Sequence, residues 1–223
     1  MSRGFPAFWG TVVALPFIIG GYLLYVSTGP HPRELGAVFI TLGLFVFLLG
    51  IYVRFMAAPS QPRYGDNEEE KKSLRPTQRV AKSKIILSIP FLIAGFYLLN
   101  FTMRPYIQPI LVLGIGWYLS FRGVYTYWRN SLTVYYITDQ RVIRSYQFLA
   151  STTKKVPLDK VRGTSADRSV SEMLLGLGNV TVSSGTGSGL TVKLQNIENA
   201  KMVEDLIRKE TEKYRNQRYS PVG

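Results

Sequence analysis

The chain has 223 residues, with 27 Lys and Arg against 14 Asp and Glu, one His and no Cys. The lack of Cys excludes disulfides, a thiolate nucleophile and Cys-ligated metal, and a single His excludes a multi-histidine site. A net charge of +13 asks for a partner or a membrane, and the crowding of long uncharged runs into about the first 125 residues excludes a simple soluble globule.

Three uncharged stretches come first: Ala7–Val26, Leu35–Val53 and Ile85–Met103. A fourth, Pro105–Phe121, is extended by the mild segment Gly123–Tyr127. A bilayer core needs about 20 apolar residues of helix, so the four read as transmembrane spans over 7–26, 35–53, 85–103 and 105–127. The first is too long for a cleaved signal peptide, and Tyr22–Tyr25 is a poor cleavage region. The spans pair as hairpins through Ser27–Glu34 and through a tight turn at Arg104. Lys and Arg concentrate in Arg54–Lys84, with Arg3 before the first span and Arg129 after the last. The positive-inside rule therefore puts both termini and the middle loop in the cytoplasm, in a multi-pass plasma-membrane protein.

The two hairpins resemble each other. Leu15-Pro-Phe-Ile-Ile-Gly-Gly-Tyr-Leu-Leu24 reads like Ile89-Pro-Phe-Leu-Ile-Ala-Gly-Phe-Tyr-Leu98, and Gly43 and Gly50 match Gly116 and Gly123. Gly36, Gly43 and Gly50 recur one heptad apart, as do Gly116 and Gly123, so each set lies on one helix face suited to close helix packing. A channel or substrate path would need polar or ionisable groups in the membrane, and the spans offer little beyond Thr11, Thr41, Ser88, Asn100, Gln108 and scattered Tyr, with Asn100 and Gln108 near the outer turn rather than at mid-depth. A transporter or channel subunit is accordingly the weaker reading.

The loop 57–83 is polar, holds Pro59, Pro62 and Pro76, and carries the mixed cluster Glu68–Lys72. It reads as a mobile linker with room for a short helix. The membrane region thus covers 1–129, a soluble domain 130–218, and a tail 219–223.

From Leu132 the pattern changes. Leu132–Thr138 and Arg141–Phe148 form a strand pair around an Asp139-Gln140 turn, and Thr152–Leu158 and Val161–Ser169 are further strands. A short helix over Ser171–Gly176 precedes strands at Asn179–Ser183 and Leu190–Leu194, joined by a glycine-rich turn over Gly185–Gly189. Glu198–Arg218 is a helix whose apolar stripe holds Ala200, Val203, Leu206, Ile207 and Tyr214. Antiparallel strands followed by one covering helix predict a small barrel or half-open sandwich.

Tyr136-Ile-Thr-Asp-Gln-Arg-Val-Ile143, Val156-Pro-Leu-Asp-Lys-Val161 and Leu174-Leu-Gly-Leu-Gly-Asn-Val-Thr-Val182 keep a distinctive order. The chain here resembles the bacterial and archaeal pleckstrin-homology-like domain, over about Leu132–Glu210. The resemblance implies that fold on the cytoplasmic face of a membrane protein, and some relatives form ring-like oligomers. The motif residues have physical readings as well: Thr138 and Asp139 cap a turn, and Leu174, Leu175 and Leu177 are expected in the core.

No catalytic set emerges. The glycine-rich turn lacks the Lys and the helix of a phosphate loop, and His31 has no triad partner. A non-enzymatic protein without cofactor or metal is expected. The first 130 residues hold 13 Lys and Arg against 5 Asp and Glu, so the positive excess is mainly juxtamembrane. That weakens a nucleic-acid reading and favours an anionic leaflet. Arg141, Arg144, Lys154, Lys155, Lys160 and Arg162 are the basic groups on the first strands that could meet headgroups or a partner. The expected role is self-assembly or partner binding, as a scaffold or accessory subunit; anionic-lipid sensing is the alternative.

Overall fold

A computed structural model describes residues 5–27, 33–55, 62, 64–65, 68–102, 105–148, 151–185 and 191–219. His31, Arg104 and most of the glycine-rich turn after Ser184 lie outside the described residues. The chain divides into two compact units, one of residues 1–57 and 79–131, the other of residues 58–78 and 132–223.

Among the described residues the first unit holds four helices: α1 (Pro6–Val26), α2 (Arg33–Phe55), α3 (Arg79–Phe101) and α4 (Ile107–Ser131). All four are long and apolar enough to cross a membrane. Pro6 opens α1, where the missing N–H costs nothing. Gly43 of α2 faces Ile18 and the Ala14 carbonyl of α1, and Gly36 faces the Gly21 carbonyl. Gly50 faces Gly10 and Ala7. On α4, Gly116 faces Leu92 of α3, and Gly123 faces Ile85 and the Ala81 carbonyl. If Pro16 is aligned with Pro90, Ile18 falls on Leu92 and Ala7 on Ala81. The two helix pairs therefore use equivalent glycines against equivalent partners, so the internal similarity in sequence is also a similarity in packing.

The pairs meet through aromatic rings, with Phe96 against Phe17 and Phe39 at centroid separations of 6.3 and 5.3 Å. Buried hydroxyls are satisfied locally, as an apolar surrounding demands. Ser120 donates to Ser88 at 2.7 Å, and Ser88 to the Ile85 carbonyl at 2.6 Å. Helix α3 begins six residues before the uncharged stretch, because Arg79–Lys84 adds charged helical turns that a search for uncharged runs leaves out.

The second unit contains β1 (Glu70–Leu74), β2 (Thr133–Thr138), β3 (Arg141–Gln147), β4 (Ser151–Pro157), a 3-10 turn Leu158–Lys160, β5 (Val161–Asp167), α5 (Val170–Leu174), β6 (Leu177–Ser184), β7 (Thr191–Glu198) and α6 (Ala200–Tyr219). One antiparallel sheet runs β1-β2-β3-β4 and the other β5-β6-β7. They share one core with α6, built from Tyr135, Ile137, Val142, Val156 and Leu158, from Val180, Val182, Val192 and Leu194, and from Ala200, Val203 and Ile207. Gly178 lets α6 approach β6, since a Cβ there would stand 2.8 Å from that of Ala200.

Two expectations need correcting. The stretch read as a linker supplies β1, which pairs with β2 from Glu70↔Thr138 to Leu74↔Tyr135. Leu174, expected in the core, is 82% exposed, whereas Leu177 is buried. The reason lies in α5. Glu172 closes a capping box with Ser169 and accepts both Asn179 amide bonds at 2.9 Å, so the helix turns its polar side inward and its apolar residues outward. Gly176, at φ +69°, then returns the chain into β6.

Candidate functional site

The most tightly organised polar cluster of the second unit lies at the turn between β2 and β3. Thr138 ends β2, and its hydroxyl oxygen accepts the Arg141 and Gln140 amides at 3.0 and 3.3 Å. That hydroxyl also stands 2.8 Å from Oε1 of Glu68, just before β1. Arg141 grips the same carboxylate with two donors, Nε at 2.7 Å from Oε1 and Nη2 on Oε2. The Gly65 amide adds a bond of 3.0 Å to Oε2. Next door, Asp139 accepts the Glu69 amide at 3.0 Å and donates its own amide to the Glu69 carbonyl at 3.2 Å.

The Glu68 side chain is only 1% exposed. Burial by itself pushes its carboxyl up, but the Arg141 guanidinium, the Gly65 amide and the Thr138 hydroxyl outweigh it and hold the group below the ordinary carboxylate range. Arg141 is correspondingly raised by its bond to Glu68. Beside this cluster, Tyr64 donates to Glu70 at 2.5 Å, and burial together with that carboxylate pushes the phenol well above its usual value.

This arrangement clamps strand β1 onto the sheet. Arg141 is therefore matched by an anion inside the fold, and its charge is not displayed to a headgroup. Glu68 escaped the sequence reading. Its only signal was an acidic run placed before a strand whose partner turn carries Thr-Asp-x-Arg.

The remaining basic residues do not form one patch. Arg144 and Lys154 are direct cross-strand partners, on the same sheet face as the Val142–Val156 pair. Lys155 is opposite Ile143, so it lies on the other face. Lys160 is exposed in the 3-10 turn. Arg162 lies along a groove of about 540 Å³ between β5 and α6, where Glu204, Asp205 and Glu212 accompany Lys201, Arg208 and Arg215. Arg208 and Glu212 pair within α6 at 3.1 Å. The glycines Gly36, Gly43, Gly50, Gly116 and Gly123 are all occupied in contacts within the first unit.

Among the helices, α1 and α3 flank an apolar groove lined by Val12, Leu15, Ile19, Ile93, Phe96 and Phe101. Asn100 adds a polar group there, and its amide donates to the Phe96 carbonyl at 2.9 Å.

Comparison with curated proteins and with solved structures finds no match for this chain. The family described as Bacterial PH domain does match, over residues 86–211. The match starts inside α3 and ends inside α6, so it takes in most of α3, all of α4 and strands β2–β7, while β1 lies before it. With two sheets, a covering helix and the clamped Thr-Asp-x-Arg turn, and with more than half of its residues matched, the chain belongs to the bacterial PH domain family.

Proposed function

We propose that this chain is a non-catalytic integral membrane protein whose PH-like domain assembles with further copies or with a partner at the cytoplasmic face. It acts as a membrane scaffold or accessory subunit. Helices α1–α4 cross the plasma membrane as two hairpins. Support comes from the large apolar side chains that these helices leave exposed, Phe45, Leu48, Ile93 and Phe121 among them. Cations ride on aromatic rings at helix ends, as Lys82 does on Trp9 at 5.7 Å and Arg129 on Tyr125 at 5.9 Å.

The pairing of β1 with β2 also bears on topology. Strand β1 precedes α3 and β2 follows α4, yet both belong to one sheet. This supports a reading in which the start of α3 and the end of α4 open to one side of the membrane, and the wealth of Lys and Arg in 54–84 favours the cytoplasmic side.

The observation that carries the assembly role is the edge strand β4. Ser151–Lys155 is exposed at every position, and no described strand pairs with its outer edge. Such an edge accepts a further strand through backbone hydrogen bonds. The deciding experiment is the mass and composition of the particle extracted from its native membrane in a mild detergent. A homomer or a complex with a second protein supports the reading, and a strictly monomeric particle overturns it.

A second reading rests on Arg144 and Lys154. Like charges directly opposite on a sheet are unfavourable, and a bound anionic headgroup would relieve them. Salt-sensitive retention of anionic over neutral lipid by the full chain, lost in Lys154→Gln, would support headgroup binding. Equal retention of both lipids removes it.

A further inference from the structure

Helix α5 presents an apolar face that the fold does not use. Val170 is 77% exposed, Met173 65% and Leu174 82%. These residues follow helical spacing and share one side of the short helix. The helix is held firmly from the opposite side. Ser169 and Glu172 form a reciprocal capping box, and both Glu172 oxygens take hydrogen bonds from Asn179. Among the described residues of this unit the other large exposed hydrophobics, Tyr64 and Met202, lie on other segments, so the cluster on α5 marks a contact surface.

Its place in the unit indicates what it contacts. Asn179, which holds α5, accepts the Asn196 amide at 3.0 Å. The Asn196 carbonyl accepts the Thr77 amide at 2.7 Å. Thr77 belongs to the segment between β1 and α3. Three hydrogen-bonded steps therefore connect α5 to the chain that leads into a membrane-length helix. The sheet register agrees, because β1 ends at Leu74 beside Tyr135, near the start of β2. Both connections to the helices leave from this end of the sheet, four residues from Leu74 to Arg79 and a single residue from Ser131 to Thr133. Four extended residues reach at most roughly 14 Å.

We propose that α5 is a membrane-contact element, with Val170, Met173 and Leu174 seated in the headgroup–acyl boundary of the bilayer that α1–α4 cross. The proposal rests on the membrane reading above and adds a second, peripheral attachment of the domain. Apolar side chains on a short helix at that depth gain from leaving water without spanning the membrane. Glu172 does not oppose this, since its carboxylate faces Asn179.

The natural absence of Cys makes the test clean. Single Leu174→Cys, Leu48→Cys and Lys213→Cys variants of the full chain are labelled with an environment-sensitive fluorophore. Each is reconstituted at one copy per nanodisc of phosphatidylcholine and phosphatidylglycerol. Lys213 is exposed on α6, on the side of Glu69 and away from the connections. The label at 174 is expected to shift to the blue and lose most of its emission to doxyl-labelled lipid, while that at 213 is quenched by aqueous iodide. Iodide quenching at 174 as complete as at 213 overturns the proposal. Shielding at 174 from both quenchers also overturns it, because protein then covers the face. The label at Leu48, on the exposed face of α2, reports separately on the spans. If it too escapes lipid quenching, the membrane reading fails, and the α5 contact fails with it.

Discussion

Glu68 and Arg141 stand 73 residues apart, and the two helices α3 and α4 lie in the chain between them. Their ion pair closes that long excursion and attaches the entering strand β1 to the turn that starts β3. The domain is therefore not a C-terminal appendage. It is assembled from chain on both sides of a helix pair, and it completes its sheet only after α3 and α4 have been made. A fragment starting at residue 130 lacks β1 and the acid that Arg141 requires.

Replacing Glu68 by Gln keeps the shape but leaves a partly buried guanidinium with a neutral partner. A hydrogen bond to a charged group contributes about 1.5–3 kcal/mol, and a loss of that size is expected for the second unit. Hydrogen exchange of the full chain in detergent should show faster exchange at 70–74 and 133–147, with α1 and α2 unchanged. Glu69→Gln, at an exposed carboxylate that pairs with Lys71, should leave these rates alone.

The same carboxylate sets a pH dependence. The folded Glu68 titrates below its ordinary value of 4.5. The unfolded state then binds more protons in that range, so folding is favoured as pH rises. The contribution is fully present above about 4.5 and is lost as pH falls through the lower folded value. Exchange protection of β1 should therefore fall on acidification below 4.5, more steeply in the natural chain than in Glu68→Gln. Parallel acid profiles for the two proteins would show that the pair carries no such linkage.

How far the sequence spoke depended on where the deciding interaction lay. The apolar spans, the alternation in β2 and β3 and the stripe of α6 are local patterns, and they appear in the structure within a few residues. Strand β1 was not legible. Glu-Lys-Lys-Ser-Leu has neither the β-branched residues nor the alternation of a strand, and only the distant Thr138–Arg141 turn makes it one. Its charge is what an edge position tolerates. Leu174 misled for a related reason. Leu-Leu-Gly-Leu reads as core, yet the bond from Asn179 to Glu172 rotates the helix that carries Leu174 outward. Both misreadings trace to a glutamate whose partner is not its neighbour in sequence.

The two leucines of that motif should separate cleanly. Leu177→Ala opens a cavity in the shared core and is expected to cost about 2–5 kcal/mol. Leu174→Ala removes an exposed side chain and should change stability in detergent by no more than about 0.5 kcal/mol. Chemical unfolding followed by tyrosine fluorescence or circular dichroism measures both. If the Leu174 contact with lipid holds, the second variant should show its defect only in a bilayer.

The glycines of α2 give a graded test of helix packing. A Cβ at Gly36 would stand 2.6 Å from the Gly21 carbonyl oxygen and the Tyr25 nitrogen, both backbone atoms that cannot rotate away. Gly36→Ala must therefore push α1 and α2 apart, at an expected cost of about 1–3 kcal/mol. At Gly50 the nearest atom is the Gly10 Cα at 3.4 Å, an ordinary contact. Gly50→Ala gains helix propensity instead, worth about 0.5–1 kcal/mol. Unfolding by titration with a denaturing detergent should move the two midpoints in opposite directions. On α4, Gly123→Ala would meet the Ile85 side chain at 2.7 Å and its backbone nitrogen at 3.0 Å, so it should fall between them. The two helix pairs share the placement of their glycines, but the closeness of each approach differs, and the order of the three midpoints would register that difference.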